Sequence, residues 1–134
     1  MLRNLAQIIL YDNDQNVFLQ VRDERAPTYP NTLGLFGGAI DDGEDAEIAV
    51  RRECKEELNY DLSNPQLFDQ RKYAIDNNYG DRFVYIEKYD QGAPLVCREG
   101  NGGEWLKCDE ALKDPRLQDI DKVILQKLKE NFNL

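Results

Sequence analysis

The sequence predicts a mixed α+β fold, in which a mixed β-sheet is covered by helices. Segments with strand character occupy the front and the middle of the chain, and two substantial helical segments accompany them. Such an order is typical of a sheet with helices packed on its faces. The chain has 134 residues, which suits one domain with one hydrophobic core. We therefore expect a single domain over residues 1–134.

The first part of the chain predicts a β-hairpin and a further short strand. Residues 6–11 are mostly apolar, and residues 17–22 combine apolar with polar side chains. The Asp- and Asn-rich residues 12–16 between them favour a turn, so the two runs form a hairpin. Two prolines in 26–31 predict a loop. Residues 33–36 predict a short apolar strand that leads into a pair of glycines.

The middle of the chain predicts a helix followed by two strands. Residues 44–58 have a helical pattern and begin just after the Asp-Asp-Gly turn at 41–43. Residues 66–75 and 82–89 contain the aromatic and aliphatic side chains that strands prefer. The polar residues 76–81 between them predict a connecting loop.

The last part of the chain predicts one more strand and a closing helix. Residues 104–108 form the strand, and residues 119–132 form the helix. The apolar residues of this helix recur at helical spacing, at Ile120, Val123, Ile124 and Leu128. Lys127 falls in the same sector, where its aliphatic stem can lie along apolar surface.

Composition and charge exclude several classes of function. The formal net charge is −9, which disfavours binding to the phosphate backbone of a nucleic acid. The chain contains no histidine. Ser-His-Asp and Cys-His catalysis, histidine-ligated zinc and histidine general bases are therefore all excluded. The apolar stretches are too short to cross a bilayer, so we expect no membrane partner.

The three cysteines argue against a disulfide framework, because an odd number leaves one unpaired. Cys97 and Cys108 could face each other across a hairpin, but reduced thiols in a reducing compartment are the simpler interpretation. The N-terminus is too short and too quickly polar for a secretory signal. We expect a cytoplasmic protein that is a monomer or a homodimer.

An acidic cluster on the first predicted helix is the main candidate for chemistry. Glu53, Glu56 and Glu57 fall at positions i, i+3 and i+4 and therefore share one helical face. Like charges so placed repel one another, and a hard divalent cation such as Mg²⁺ or Mn²⁺ would neutralise them. The alternative is a solvated charged helix, in which Arg51, Arg52 and Lys55 pair locally with these glutamates.

The glycine pair before the helix favours the first interpretation. Gly37 and Gly38 have no side chain, so their backbone can bring a carbonyl oxygen close to a ligand. A loop with an exposed carbonyl beside three carboxylates is a set of oxygen donors suited to a cation. Gly38 is for the same reason a candidate substrate-binding residue.

The run from residue 38 to residue 60 resembles the Nudix box, G-x5-E-x7-R-E-U-x-E-E-x-G-U, in which U is a bulky apolar residue. The residues in register are Gly38, Glu44, Arg52, Glu53, Cys54, Glu56, Glu57 and Tyr60. Asn59 stands where the family has glycine, and asparagine is the next-best residue for the left-handed conformation at a helix end. The resemblance implies the Nudix fold, an α/β/α sandwich with a mixed sheet, which agrees with the fold predicted from the segments.

The resemblance also implies a role for each matched residue. Glu53, Glu56 and Glu57 would bind Mg²⁺ or Mn²⁺ together with the carbonyl of Gly37. Arg52 would act in catalysis by orienting Glu53 through a charge-assisted pair. Two further box residues, Gly38 and Glu44, would support the loop.

A glycine-rich segment near residue 100 carries a further acidic candidate. It resembles the loop of MutT-type Nudix enzymes in which a glutamate before Gly-x-x-Gly-Glu-Trp binds metal or acts in catalysis. That glutamate corresponds to Glu99 here. Either Glu53 or Glu99 is the candidate base, with Glu104 a weaker choice.

The resemblance implies hydrolysis of a diphosphate linkage in a nucleoside diphosphate linked to another moiety. The leading hypothesis is a MutT-type nucleoside triphosphate pyrophosphohydrolase. The alternatives are a nucleotide-sugar or ADP-ribose pyrophosphatase, or a non-catalytic nucleotide-binding regulator. Arg22 could reach a substrate phosphate, or could pair with a neighbouring acid on the surface. MutT-like enzymes read oxidised guanine with an asparagine near the last helix, and Ile120 occupies that position in an ungapped alignment.

Overall fold

The computed structural model describes residues 1–26, 29–97 and 102–132. Seven strands and three helices lie within these ranges. In chain order they are β1 Leu5–Tyr11, β2 Asn16–Arg22, β3 Thr32–Gly34, β4 Phe36–Ala39, α1 Ala46–Leu58, β5 Gln66–Ile75, β6 Asn78–Lys88, β7 Gly103–Lys107, α2 Cys108–Lys113 and α3 Asp119–Phe132.

The strands form one mixed sheet, as predicted. Its order is β3-β2-β1-β6-β5, with β4 paired to β1 and β7 paired to β2. The β1–β6 pair is parallel and the other pairs are antiparallel. Since β6 lies along one edge of β1, strands β2 and β4 must share the other edge. They separate there, with β4 beside the first half of β1 and β2 beside its end.

Both faces of the sheet are buried, which gives the α/β/α sandwich that the sequence predicted. Strand β1 shows the reason, because Ala6, Ile8 and Leu10 belong to the core under α1. Ile9, on the opposite face, belongs to the core under α2 and α3. Side chains alternate between the two faces along a strand, so one strand contributes to both cores.

Most predicted elements are present, with shifts at their boundaries. The predicted strand 33–36 is split into β3 and β4 at Leu35, and the second of these strands continues through the glycine pair. Strand β6 begins at Asn78, so the predicted loop 76–81 is a tight turn in which Asp76 has φ of 54°. The short helix α2 was not predicted, because its six residues hold too few turns to show a periodic pattern.

The predicted apolar face of the last helix is confirmed at Ile124 and Leu128 and is wrong at Val123. The buried positions of α3 are Asp121, Ile124, Leu125 and Leu128. Val123 is half exposed, at 50%. Asp121 occupies a core position because it has a buried partner, which is described below.

All three cysteines are free thiols, with Cys54 and Cys108 buried and Cys97 partly buried. Among the described residues, no helix combines the length and apolar character that crossing a bilayer requires.

Candidate active site

Local signals place α1 and its charged residues. The side chain of Asp45 accepts a hydrogen bond from the Ile48 amide and caps the N-terminus of the helix. Asn59 ends it in the left-handed conformation with φ of 52°, which confirms the role expected of asparagine at this position. Val50 and Leu58 are completely buried, so they fix the rotation of the helix on the sheet.

This rotation turns two of the three clustered glutamates toward the glycine pair. Glu57 is only 5% exposed, and its Oε1 accepts a hydrogen bond from the Gly37 amide at 3.2 Å. The carboxylate of Glu53 lies against Gly38, so close that a Cβ added at Gly38 would be 2.8 Å from Oε1. Glu56 lies farther out, with 59% of its side chain exposed. The two inner carboxylates therefore face consecutive residues of β4.

The glycine pair allows this close approach. A Cβ on Gly37 would lie 2.3 Å from the carbonyl oxygen of Ala6 on the neighbouring strand, and Gly37 has φ of +138°. Both facts exclude a side chain at this position. At Gly38, the space that a Cβ would fill is occupied by the Glu53 carboxylate. Helix and strand are thus brought together by the absence of two side chains.

Arg52 connects the carboxylates with the loop that precedes α1. Its Nε and Nη2 donate to the two oxygens of Glu44 at 2.7 Å and 2.9 Å, a bidentate pair. Nη2 also donates to the Ala39 carbonyl at 3.1 Å, at the end of β4. Nη1 donates to Glu53 at 2.9 Å and to Glu56 at 3.3 Å. One guanidinium therefore donates to three carboxylates and a strand end, and its Nη2 also lies 3.3 Å from the carboxylate of Asp41.

These contacts also set the charge state of the pair. The hydrogen bond from Arg52, and then the one from the Asp41 amide, hold the pKa of Glu44 below its ordinary value. The Glu44 carboxylate in turn raises the pKa of Arg52 above its ordinary value. Both groups are therefore ionised over the whole physiological pH range.

The outer face of α1 fits the alternative of a solvated charged helix. Arg51 pairs with Glu47 at 3.3 Å, and Lys55 pairs with Asp61 at 3.2 Å. More than 40% of each of these four side chains is exposed. The two interpretations therefore apply to different faces of one helix, and only the inner face approaches the glycine pair.

A cavity of about 210 Å³ lies on the other side of Gly37 and Gly38. It occupies the region where β2 and β3 separate from β4. The polar side chains that line it are Arg3, Gln7, Gln20, Arg22, Asn78, Gln118 and Asp121. The aliphatic and aromatic ones are Leu5, Leu35, Ile75, Ile120, Tyr29 and Tyr73.

One lining residue of the cavity, Asp121, belongs to a buried ion pair. Arg82 is 1% exposed and Asp121 is 3% exposed, and the guanidinium contacts the Asp121 carboxylate directly. The same guanidinium donates to the Ile120 carbonyl at 3.0 Å and to the side-chain oxygen of Gln7. Strands β1 and β6 are thereby joined to the N-terminus of α3. A partner for every polar group is what a buried charge requires.

The structure thus divides the predicted candidates into three groups. Glu53, Glu57 and the glycine pair lie together, and Arg52 links Glu53 to Glu44 and Glu56. Arg22 lines the cavity at the end of β2. Glu99 lies outside the described residues, while Glu104 pairs with Arg116 at 3.4 Å.

Residues of the site that the sequence analysis missed include Gln7, Tyr29, Arg82 and Asp121. Two of them had a detectable signal. Arg82 occupies an inward position two residues before Val84, and Asp121 precedes Ile124 and Leu125 at core spacing. An arginine and an aspartate at core positions predict a buried pair, since neither is buried alone. Gln7 and Tyr29 had no such signal.

The donors beside the glycine pair are carboxylate oxygens, which suit a hard cation. Within the described ranges, no three Asp, Glu or Cys side chains lie close enough together to hold a metal ion. Mg²⁺ needs only one or two carboxylates when substrate phosphates and water complete its coordination. Glu53 and Glu57 fit that smaller requirement.

Comparison with known proteins shows which family the chain belongs to. The NUDIX domain family matches residues 1–128. The 8-oxo-dGTP diphosphatase of Escherichia coli (strain K12) is 29% identical over 94 residues, which are 70% of this chain and 72% of that protein. The crystal structure of a MutT NUDIX hydrolase from Burkholderia pseudomallei has a TM-score of 0.76 at 26% identity, covering 95% of this chain and 98% of that chain.

The fold is also shared with a structure of much lower sequence identity. The crystal structure of MutT protein from Methanosarcina mazei Go1 has a TM-score of 0.84 at 17% identity, covering 97% of this chain and 95% of that chain. The predicted mixed sheet between helices is confirmed by this likeness. With a family match over nearly the whole chain, this protein belongs to the NUDIX domain family as a MutT-like Nudix hydrolase.

Proposed function

We propose that this protein hydrolyses a nucleoside triphosphate to the nucleoside monophosphate and pyrophosphate, using Mg²⁺ or Mn²⁺. One observation carries the proposal. Two carboxylates, of Glu53 and Glu57, lie against the Gly37–Gly38 segment, and the same segment lines the cavity. A substrate held in the cavity would have its phosphates next to these carboxylates.

Glu53 and Glu57 are the residues that would hold the cation, with the Gly37 carbonyl and the more exposed Glu56 as further candidates. Nudix hydrolases generally use a divalent metal ion. The bound cation would neutralise the diphosphate and lower the pKa of a coordinated water. Two acidic side chains so close to a triphosphate would otherwise repel it.

The residues of the chain would position the groups that react. Water adds its oxygen to a phosphorus atom, the bridging P–O bond breaks, and the water proton goes to a carboxylate. Glu53 or Glu99 is the proposed acceptor of that proton. Arg52 holds Glu53 in place at 2.9 Å, so a carboxylate oxygen stays directed toward the glycine pair.

The cavity would take the nucleoside part of the substrate. Its volume of about 210 Å³ is below the range of roughly 300–1,000 Å³ that is typical of drug-sized ligands. Such a volume suits a base and part of its sugar, while the phosphates remain outside. Amide side chains in the wall, those of Gln7, Gln20 and Gln118, offer both donors and acceptors to a base edge. Arg22 lies at the cavity in a position to contact a phosphate.

The identity of the base is a separate question. The matched Escherichia coli protein is named for 8-oxo-dGTP. In this chain the apolar Ile120 lines the cavity at the position where MutT-like enzymes use asparagine. We therefore propose an unmodified nucleoside triphosphate as the preferred substrate over the oxidised one.

A released-pyrophosphate assay tests the proposal. The panel contains the eight common nucleoside and deoxynucleoside triphosphates, 8-oxo-dGTP, ADP-ribose and nucleotide sugars, each with Mg²⁺, with Mn²⁺ and with a chelator. We expect cation-dependent release of pyrophosphate from at least one triphosphate. Turnover confined to ADP-ribose or nucleotide sugars would move the assignment to those substrates. Turnover that survives chelation would refute the role of the cation.

A further inference from the structure

One hydrogen bond holds a side chain that lines the cavity assigned by the proposed function to the nucleoside. The hydroxyl of Tyr29 donates to Oδ2 of Asp76 at 2.9 Å, although 47 residues separate them in the chain. Tyr29 lies shortly before β3, and Asp76 directly follows β5. Strands β3 and β5 are the two ends of the sheet order. The bond therefore joins segments beside opposite edges of the sheet.

Both residues have an unusual backbone conformation. Tyr29 has φ of 48° and Asp76 has φ of 54°. Aspartate is tolerated in the left-handed region, but a bulky tyrosine there is uncommon. The Tyr29 carbonyl accepts a hydrogen bond from the Thr32 hydroxyl at 2.7 Å, which helps to hold this conformation. A strained aromatic residue at a cavity is an observation that points to function.

The surroundings of the phenol keep it a hydrogen-bond donor. Partial burial, and then the hydrogen bond to Asp76, raise the pKa of Tyr29 above its ordinary value. Tyr73 and Arg22 also lie close enough to affect the charge of the phenol. All three of these side chains line the cavity. The ring of Tyr29 is therefore part of the cavity and has a neutral hydroxyl.

We propose that Tyr29 covers the face of the substrate base and that Asp76 is the positioning residue that holds its ring over the cavity. This inference rests on the proposed function, because it names the part of the substrate that the cavity receives. The amides in the wall offer hydrogen bonds, which a base makes along its edge. An aromatic ring can instead contact the face of a base, since every base has a face that stacks on aromatic side chains.

Equilibrium binding of nucleoside monophosphates and of ribose 5-phosphate, measured by calorimetry, tests the proposal. The probes are AMP, GMP, CMP and UMP, and ribose 5-phosphate has the same phosphate and sugar without the base. We expect the wild type to bind at least one monophosphate more tightly than ribose 5-phosphate. Stacking is worth enough that Tyr29→Gly should weaken binding of that monophosphate by about 5- to 100-fold. Ribose 5-phosphate should bind the variant and the wild type equally.

The variants are chosen so that the protein remains folded. Glycine adopts positive φ without strain, so Tyr29→Gly and Asp76→Gly both keep the backbone conformation. Asp76→Gly removes the acceptor of the hydrogen bond, and Tyr29→Phe removes its donor. We expect each variant to weaken base-dependent binding a few-fold. In the double variant the two effects should not add, because both variants break the same bond. Asp76→Asn keeps an acceptor and should recover part of the affinity. Tyr79→Phe is the matched control, because Tyr79 is 54% exposed.

The outcomes separate this proposal from the proposed function. If monophosphates bind no more tightly than ribose 5-phosphate, or if Tyr29→Gly weakens both equally, the role of Tyr29 is refuted. If Asp76→Gly behaves as the wild type, the positioning role of Asp76 is refuted. If no triphosphate is hydrolysed but base-dependent binding still requires Tyr29, the proposed function fails and the inference about Tyr29 stands.

Discussion

The substitution Glu57→Gln separates the chemical role of the buried carboxylate from its structural role. It removes the negative charge and keeps the side-chain oxygen that accepts from the Gly37 amide at 3.2 Å. A hydrogen bond to a charged group contributes about 1.5–3 kcal/mol, and one between neutral groups about 0.5–1.5 kcal/mol. The change in this bond should therefore cost about 1 kcal/mol. For a domain of this size, the midpoint of thermal unfolding falls by roughly 3–6 °C.

The effect on catalysis should be much larger. A cation that stabilises transition-state charge is worth several kcal/mol, and each 1.4 kcal/mol corresponds to about a tenfold change in rate. If Glu57 holds the cation, kcat/KM should fall by about 100-fold or more. The loss should be smaller at high Mg²⁺ concentration, because a weakened site fills by mass action.

The assay measures pyrophosphate release against Mg²⁺ concentration, together with the unfolding midpoint of each variant. Glu47→Gln is the matched control on the same helix, since the Glu47 side chain is 53% exposed and pairs with Arg51 on the outer face. It should change activity by less than about twofold. A Glu57→Gln protein that stays folded and retains kcat/KM within about threefold of the wild type would refute the assignment of Glu57.

Three further predictions concern the glycine pair, the buried pair and a buried thiol. Gly38→Ala puts a Cβ 2.8 Å from an oxygen of the flexible Glu53 side chain, so the fold should survive but kcat/KM should fall at least about tenfold. Gly37→Ala puts a Cβ 2.3 Å from the backbone oxygen of Ala6, so it should lower the midpoint of thermal unfolding. Arg82→Met leaves the buried carboxylate of Asp121 without its partner, so it should lower the free energy of unfolding by roughly 3–5 kcal/mol. An unchanged midpoint of urea unfolding would contradict this. Burial raises the pKa of Cys54 from 9.0 to about 12, so only the unfolded thiol ionises just above pH 9.0. This thiol should therefore lower stability with rising pH by up to about 1.4 kcal/mol per unit. In urea titrations at different pH, Cys54→Ala should have a shallower slope than the wild type, and the slope that remains includes Cys108, whose burial raises its pKa to about 11.

The sequence was sufficient for features that depend on neighbours within a few residues. The shared side of Glu53 and Glu57 follows from the helical period, because residues four apart lie one turn above each other. The buried stripe that contains Val50, Cys54 and Leu58 follows from the same period. Asn59 could be assigned to the helix end because its tolerance of positive φ is a property of the residue itself.

Features that join distant segments were not predicted. Arg82 and Asp121 are 39 residues apart, and they meet because β6 lies beside β1 while α3 packs across both. The bond between Tyr29 and Asp76 likewise requires a loop before β3 to reach the turn after β5. The spacing of Arg82 and Asp121 marks each as a core position but does not identify the other as its partner. Tyr29 and Asp76 leave no such signal, because each looks like an ordinary polar residue within its own segment.

The chain by itself therefore determined the family resemblance, the acidic helix face and the mixed sheet, since these depend on spacing along the backbone. The tertiary structure alone decided that two carboxylates face the glycine pair while the third lies farther out. It also decided which side chains surround the cavity behind that pair. The physical reason is that a cavity is bounded by residues from separate strands and loops, and their meeting depends on how the whole sheet is ordered.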